Sequence, residues 1–570
     1  MYRASEYNSG KEVHILSTKN IDGIQLRNMF LSGANNLENN KGIVNSLNVF
    51  PVPDGDTGTN MSLTMQLAVK EIIAVKNIEI QSVANAAANG SLMGARGNSG
   101  VILSQIWRGF AKALKNLKSM DTSVLANALM EGSNTAYKAI MKPTEGTILT
   151  VIRETAEYAM KVSENFQDNV LFLEEIIEKA NNVLRRTPEM LQVLKNAGVV
   201  DAGGKGLIYI FEGMYQYLKT GEMIELKAAA EDEGHDRPVF REEEIVFGYC
   251  TEFFIKGRKL GLEKFRDEVL PMGDSLLVVG DENFLKVHIH TNYPGRVLEL
   301  AMAHGELSSI KIDNMREQHN ELLFNEEEHN ELLFNEEEHK AAEEAEQAPK
   351  PMERYGTIAV AMGEGISSIF KDLGANEIIE GGQTMNPSTE DILNSVNKIN
   401  AETIYIFPNN SNIILAANQA KTMSDKNVIV AATKSIPQGI SALMALNHDK
   451  GIEENNKKIE KAIASVKSGL VTYAVRNSNY DGINIEEGNV LGMVEGKISG
   501  VGNDILEVSH KVLDDMVDED SSLISIYYGS EVKEEEALKL KEEIGELYNN
   551  CEIELHFGGQ PLYYYILSVE

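Results

Sequence analysis

Asn48-Val49-Phe50-Pro51-Val52-Pro53-Asp54-Gly55-Asp56-Thr57-Gly58-Thr59-Asn60-Met61 compresses two carboxylates, two prolines and two glycines between segments of helical periodicity. A turn at Gly55 lets Asp54 and Asp56 aim at one point, and hard divalent cations, Mg²⁺ best among them, take oxygen ligands of that kind. Pro51 and Pro53 fix φ on the approach, whereas Gly55 and Gly58 permit close approach of backbone N–H groups to a ligand. Thr59 and Asn60 stand where a helix would begin, with Met61 to Ile73 as its body, and a helix N-terminus favours bound phosphate. The stretch therefore reads as a metal and phosphate site. The plainer alternative is an Asp-Gly surface turn followed by a helix cap.

Outward from this stretch, residues Ile21 to about Leu218 carry apolar residues at three- and four-residue spacing, which predicts a helical domain. Ile24, Leu31, Leu37, Val44 and Leu47 are expected to line a first pair of helices. Two further glycine-rich runs, Gly94-Ala95-Arg96-Gly97-Asn98-Ser99-Gly100 and Asp201-Ala202-Gly203-Gly204-Lys205-Gly206, directly precede the apolar helical segments Val101 to Leu114 and Leu207 to Leu218. Each can present backbone N–H groups at a helix start, so that together with Asp54 and Asp56 they suggest a nucleotide. Taken singly, each is also an ordinary helix cap. Neither Gly-x-x-x-x-Gly-Lys-Ser/Thr nor a strand-linked Gly-x-Gly-x-x-Gly is present, so the two common nucleotide folds are not indicated.

Asn48 to Met61, the Gly94 to Gly100 loop and Asp201 to Gly206 together resemble the nucleotide-binding domain of the dihydroxyacetone kinase L-subunit (DhaL) family. The resemblance implies an all-α barrel whose acidic loop binds ATP through Mg²⁺. That family often has Gly-Asp-Gly-Asp-His-Gly-x-Asn-Met; here Pro53 replaces the first Gly and Thr57 the His. Its additional upstream Asp has no counterpart, and Asn48 is the nearest oxygen ligand in sequence. These departures match the kinase subunit of bacterial fatty acid kinase, to which the chain from about Ile21 to its end is similar. By that resemblance Asp54 and Asp56 are the catalytic residues, and with Asn48 they hold Mg²⁺. The same resemblance implies that Thr57, Gly58, Thr59, Asn60, Met61, Gly97, Asn98, Ser99, Gly100, Asp201, Gly203 and Gly204 bind the nucleotide.

A polar, acidic stretch at 221–244, containing Glu231-Asp232-Glu233-Gly234 and Pro238, reads as a linker. The small α/β segment that follows has expected strands at Ile245 to Ile255, Ser275 to Val279 and Phe284 to His290. Period-2 geometry places His288 and His290 on one face of a strand, and with Cys250 on another strand they could form a Cys/His₂ zinc site. A Cys–His nucleophilic pair, or two solvated histidines beside a structural cysteine, are the alternatives. The resemblance, carried here by His288-Ile289-His290-Thr291-Asn292-Tyr293-Pro294-Gly295, implies a metal-binding middle domain.

His319 to Glu328 and His329 to Glu338 are an identical ten-residue tandem repeat. That period matches neither the seven nor the eleven residues of a coiled coil, which makes the region a spacer. Glu317 to Lys350 holds twelve Glu and two Lys, a local charge of −10. From Arg354 short apolar runs (Thr357 to Ala361, Glu377 to Ile379, Thr403 to Phe407, Asn427 to Ala431, Ser522 to Tyr528) alternate with helical stretches such as Ser388 to Ile399 and Asn412 to Lys421. This alternation predicts a parallel α/β sheet with any ligand at the strand C-termini, near turns such as Gly381-Gly382-Gln383. The segment resembles the DegV-like fold, and in the family a separate DegV-type protein carries the acyl chain. The expected layout is a kinase domain at 1–220, a linker at 221–244, a middle domain at 245–317, a linker at 318–353 and a DegV-like domain at 354–570.

Net charge narrows the partners. With 86 acidic and 53 basic residues among 570, the chain carries −33 and no basic patch, which excludes nucleic acid as an expected partner. Two cysteines predict a reducing compartment, and no run approaches the length of a membrane span. A polar Met1 to Lys19 offers no signal sequence, so the expectation is a cytoplasmic protein, with a homodimer as its assembly. The function implied by the resemblance is ATP-dependent phosphorylation of a fatty acid carboxylate presented by a DegV-type carrier, giving acyl phosphate for phospholipid synthesis. A dihydroxyacetone-type kinase and a non-catalytic nucleotide-binding scaffold are the rivals.

Overall fold

The structure is a computed structural model that describes residues 18–48, 55–140, 142–227, 249–257, 262–280, 284–314, 352–382, 386–480 and 482–570. Two compact units result: one joins Met1–Lys227 to Pro351–Glu570, and the other is Ala228–Lys350. The first unit is thus built from two stretches far apart in sequence.

Its N-terminal half holds α1 (Gly23–Asn45), α2 (Thr57–Ile73), α3 (Ile80–Met93), α4 (Gly97–Ala113), α5 (Thr122–Ala139), α6 (Ile148–Val162), α7 (Asn169–Met190), α8 (Gln192–Ala197) and α9 (Ala202–Thr220). Neighbours in sequence pack on each other from α1 to α7, and α9 packs on both α7 and α1, which closes the ring into an all-α barrel. Asp22, Asp121, Thr147, Asp168 and Asp201 cap their helices by accepting a backbone N–H in the first turn. Inside lies an aromatic cluster, with Phe30 and Trp107 in edge contact at 4.9 Å and Trp107 and Phe110 at 5.8 Å.

Three expectations need correction. The first pair of helices is a single 23-residue helix, α1. Its Gly33 does not break it but lets α9 approach, since a Cβ there would stand 2.8 Å from the Ile210 carbonyl oxygen. The helix after the acidic stretch starts at Thr57 rather than Met61, and in the other two glycine runs Gly97 to Gly100 and Ala202 to Gly206 are likewise the first turns of α4 and α9. Glycine serves in these turns as a close-packing residue within a helix.

The C-terminal half has two sheets. Strands β5 (Glu353–Ala361), β6 (Glu377–Glu380), β7 (Ala401–Phe407) and β8 (Asn427–Val430) form an all-parallel sheet in the order β6-β5-β7-β8. β9 (Lys467–Tyr473), β12 (Val490–Val494), β13 (Lys497–Gly502), β14 (Leu523–Tyr528), β15 (Glu552–Phe557) and β16 (Tyr565–Val569) form a mixed sheet, β13-β12-β9-β16-β14-β15, in which β14 and β15 alone are parallel. The short hairpin of β10 (Ser478–Tyr480) and β11 (Ile483–Ile485) stands apart. The expected single parallel sheet is therefore one of two.

The second unit carries an antiparallel sheet, β2-β3-β1-β4, of β1 (Tyr249–Lys256), β2 (Gly273–Gly280), β3 (Phe284–Thr291) and β4 (Glu306–Asn314). Phe253, Ile255, Val287 and Ile289 are buried with Phe265, Val297 and Ala301 from the helices Leu262–Val269 and Pro294–Met302. The acidic repeat at 319–338 and most of both linkers lie outside the described residues.

Candidate functional site

Asp56 occupies the N-cap position of α2 but makes no cap hydrogen bond. Asn45, the last residue of α1, does that work instead: its Oδ1 accepts from Gly58 N (2.7 Å) and Thr59 N (3.2 Å), while its Nδ2 donates to Thr59 Oγ1 (3.0 Å). A helix start capped from outside lets its own N-cap carboxylate serve other partners. Asp56 is buried, at 8% exposure, and accepts a hydrogen bond from Asn386 Nδ2. Asn48 Oδ1 accepts from Thr57 Oγ1 at 2.8 Å, which places a second oxygen donor beside Asp56. Asp54 lies outside the described residues.

Four helix starts meet here in succession. A Cβ on Gly97, whose φ is +58°, would stand 2.6 Å from Asn60 Nδ2, and one on Gly100 would stand 2.4 Å from Thr64 Oγ1; so α4 begins against α2. A Cβ on Gly206 would stand 2.7 Å from Met61 Sδ, which sets α9 against α2 as well. Gly203 lies against Ile148 at the start of α6. The dipoles of these helices place partial positive charge at one end of the barrel, a setting suited to phosphate.

Asp201 caps α9 through Gly204 N at 2.6 Å and receives a further backbone hydrogen bond from Ile148. The residue as a whole is half-buried, with Ile148, Val151 and Leu184 around its first turn. Burial pushes its carboxyl up to about 6, against the lowering effect of the two backbone donors. Glu38 on α1 shows the opposite outcome. Burial pushes its carboxyl up, but hydrogen bonds from Lys41, Ser62 and Gln66 and the charge of Lys41 outweigh that and hold it below its ordinary value. Of the other expected residues, Asn98 donates to Asn412 Oδ1 at 3.2 Å, and Ser99 is half-buried in the first turn of α4.

Four residues outside the expected set flank the site. Asn45 supplies the cap. Asn386 and Arg476 come from the C-terminal half and flank the acidic stretch: Arg476 donates to the carbonyl oxygens of Ser46 and Asn48, and Asn386 to Asp56. Arg96 joins them, its NH1 donating to the Asn386 carbonyl oxygen at 2.7 Å and its NH2 lying 3.5 Å from Asp391. A usable signal existed for Asn386, which follows the Gly381-Gly382 turn at the C-terminal end of a parallel strand, where such sheets bind ligands.

The donor set fits Mg²⁺. Asp56 and Asn48 offer hard oxygens, and the fully buried Asn386 has a side-chain oxygen with no hydrogen-bond partner among the described residues. In the middle unit the register pairs Cys250 with His290 and Glu252 with His288 along the backbone, but the side chains of Cys250, His288 and His290 lie outside the described set. Among the described residues no group of three or more His, Cys, Asp or Glu could hold a metal ion. Zinc has no part in the function proposed below. At the C-terminal ends of β5 and β7, Val360, Met362, Ile366, Pro408, Tyr563 and Ile566 line a cavity of about 30 Å³. That is roughly one water's share of liquid volume, against roughly 300–1,000 Å³ for ordinary small-molecule pockets.

Comparison with known proteins identifies the family. Residues 51–216 match the DAK2 domain, residues 246–322 the FakA-like (fatty acid kinase) middle domain and residues 356–570 the FakA-like C-terminal domain. Protein YloV of Bacillus subtilis (strain 168) is 44% identical over 568 residues, covering 97% of this chain and all of that one. An uncharacterized protein of Staphylococcus aureus (strain USA300) is 43% identical over 563 residues, covering 96% and 99%. The chain belongs to the FakA-like family of fatty acid kinase proteins, and so to a family of kinases. Among solved structures it is similar to a DegV family protein of Corynebacterium glutamicum (TM-score 0.29, 10% identity, 38% of this chain and 98% of that one). It is also similar to the dihydroxyacetone kinase of C. freundii in complex with AMP-PNP and Mg²⁺ (0.27, 15%, 38% and 37%) and to the fatty acid kinase B3 protein of Streptococcus pneumoniae loaded with linoleic acid (0.28, 11%, 38% and 99%). No helix among the described residues is long and apolar enough to cross a membrane.

Proposed function

We propose that this chain transfers the γ-phosphoryl group of ATP to the carboxylate of a fatty acid held by a separate DegV-type carrier, giving acyl phosphate and ADP. The observation that carries the reading is the Asp56 carboxylate at the start of α2, where Asn45 caps the helix in its stead and the starts of α4 and α9 pack against α2. Asp56, with Asn48 and Asp54, would hold Mg²⁺, which when bound neutralises charge on the phosphates. Gly58 N and Thr59 N are held by Asn45, and Asn60 N and Gly100 N by the carbonyl oxygens of Asp56 and Arg96, so the backbone N–H groups of Gly97 to Ser99, with the side chains of Thr57, Thr59 and Asn60, would orient the phosphoryl group, and Asp201 to Gly204 would close the nucleotide pocket. The acceptor is already an anion, so positioning and charge compensation suffice without a strong base. The same reading expects a homodimer in solution.

Incubation of the purified chain with ATP, Mg²⁺ and fatty acid, with and without a DegV-type carrier, tests the proposal. Acyl phosphate only with carrier supports it; phosphorylation of dihydroxyacetone, or nucleotide binding without turnover, would replace it. Asp56→Asn is expected to lower turnover by a factor on the order of 10² or more, in line with loss of a charge-stabilising group.

A further inference from the structure

Asn386 is fully buried, yet it belongs to the α/β half rather than to the helical barrel whose site it enters. Its Nδ2 donates to Asp56 and lies 3.4 Å from Asn60 Oδ1. Its Oδ1 has no hydrogen-bond partner among the described residues, and neither does the buried Nε of Arg96, whose NH1 holds the Asn386 carbonyl. Buried polar atoms without partners are rare in folded proteins, and each calls for a physical cause. Here an orphaned acceptor and an orphaned cationic donor belong to two residues bonded to each other, one of which also donates to a carboxylate suited to a metal.

The residue is also held firmly. Immediately after it, Ser388 and Asp391 form a capping box at the start of the helix Thr389–Lys398, and Thr389 N donates to the Ala95 carbonyl oxygen at 3.2 Å. A rigid strut thus presents a carboxamide to Asp56. Carboxamide oxygens are hard ligands for Mg²⁺ and good acceptors for the water or hydroxyl groups of a nucleotide complex.

We infer that Asn386 is a residue of the phosphate-donor site, its side-chain oxygen joining the Mg²⁺–nucleotide complex at Asp56, so that the C-terminal half completes the kinase site. The inference rests on the nucleotide-binding reading above. By linkage, Mg²⁺–nucleotide must then also strengthen the contact between the two halves.

Calorimetric titration of the full-length chain with ADP, in Mg²⁺ and in EDTA, tests this. Asn386→Ala is expected to weaken Mg²⁺-dependent ADP binding on the order of tenfold, the effect of one lost polar contact at a buried site. Gln419→Ala removes a contact between the same halves away from the site, where Gln419 Nε2 donates to the Leu92 carbonyl oxygen; it is expected to leave ADP binding within about twofold. Equal losses in both variants, or none in Asn386→Ala, overturn the inference. Where Asn386→Ala does not fold, Asn386→Asp carries the test, because it keeps the oxygen and adds charge: the Mg²⁺ concentration at half-saturation must fall, and an unchanged or higher value is a refutation. Failure of the wild-type chain to bind Mg²⁺–ADP at all would instead refute the nucleotide reading itself.

Discussion

Replacing Asp201 by Asn gives a sharp test of how the barrel treats the carboxylate that starts α9. Burial raises this carboxyl from 3.8 to about 6. At about 1.4 kcal/mol per pH unit, that difference is worth about 3 kcal/mol for an enclosed group, and about 1–2 kcal/mol once its partial exposure is allowed for. The folded chain binds the proton more tightly than the unfolded chain. Stability from this group is therefore greatest below about pH 4, falls between about pH 4 and 6, and stays at the lower level above. Asn keeps an oxygen to accept from Gly204 N without the charge, so Asp201→Asn should remove that slope and raise stability at pH 7.5 by about 1 kcal/mol. Parallel denaturation series of the two proteins from pH 4 to 8 measure the difference. Parallel curves across that range would sink the argument, and so would a variant that loses stability uniformly.

Other outcomes follow from the same geometry. Asn45→Ala removes the three hydrogen bonds that start α2 and should cost about 1–2 kcal/mol of stability, read as a lower denaturation midpoint. Gly58→Ala would place a Cβ 2.3 Å from the Lys41 carbonyl oxygen, which backbone cannot yield, and should cost about 1–3 kcal/mol. Gly42→Ala is its counterpart in α1: nothing lies within 4 Å of its Cβ position, and the helix should gain up to about 1 kcal/mol in the same denaturation assay.

The barrel was legible because its helices obey local rules. Apolar spacing, aspartate caps and glycine runs all report on neighbours within a turn or two, and the DhaL resemblance supplied the closure into a ring. Helix starts were displaced because Gly97, Gly203 and Gly204 look like loop residues, whereas here they are the small residues that let helices meet. In the C-terminal half, β5 and β7 are buried along nearly their whole length and read as continuous apolar runs. β9, β12 and β13 escaped notice because Gly469, Gly492 and Gly500 interrupt them. Glycine is needed at the first two, where a Cβ would stand 2.5 and 2.4 Å from Val512. The site divides in the same way. Asp56 announces itself by composition, whereas its contact with Asn386 spans 330 residues and that of Arg476 with Asn48 spans 428, distances over which a single sequence carries no pairing signal.

That one folded unit is assembled from the two ends of the chain has a consequence for synthesis. Asp56 and its neighbours leave the ribosome long before Asn386 and Arg476 exist. At roughly 5–20 residues per second, the roughly 250 residues from Lys227 to Arg476 take on the order of 10–50 s. Throughout that interval the barrel must persist with Ala95 and Val101, which are later buried against the parallel sheet, open to water. A nascent or truncated chain would carry the acidic stretch without the two struts that flank it, so the proposed phosphate-donor site comes of age only with the last third of translation.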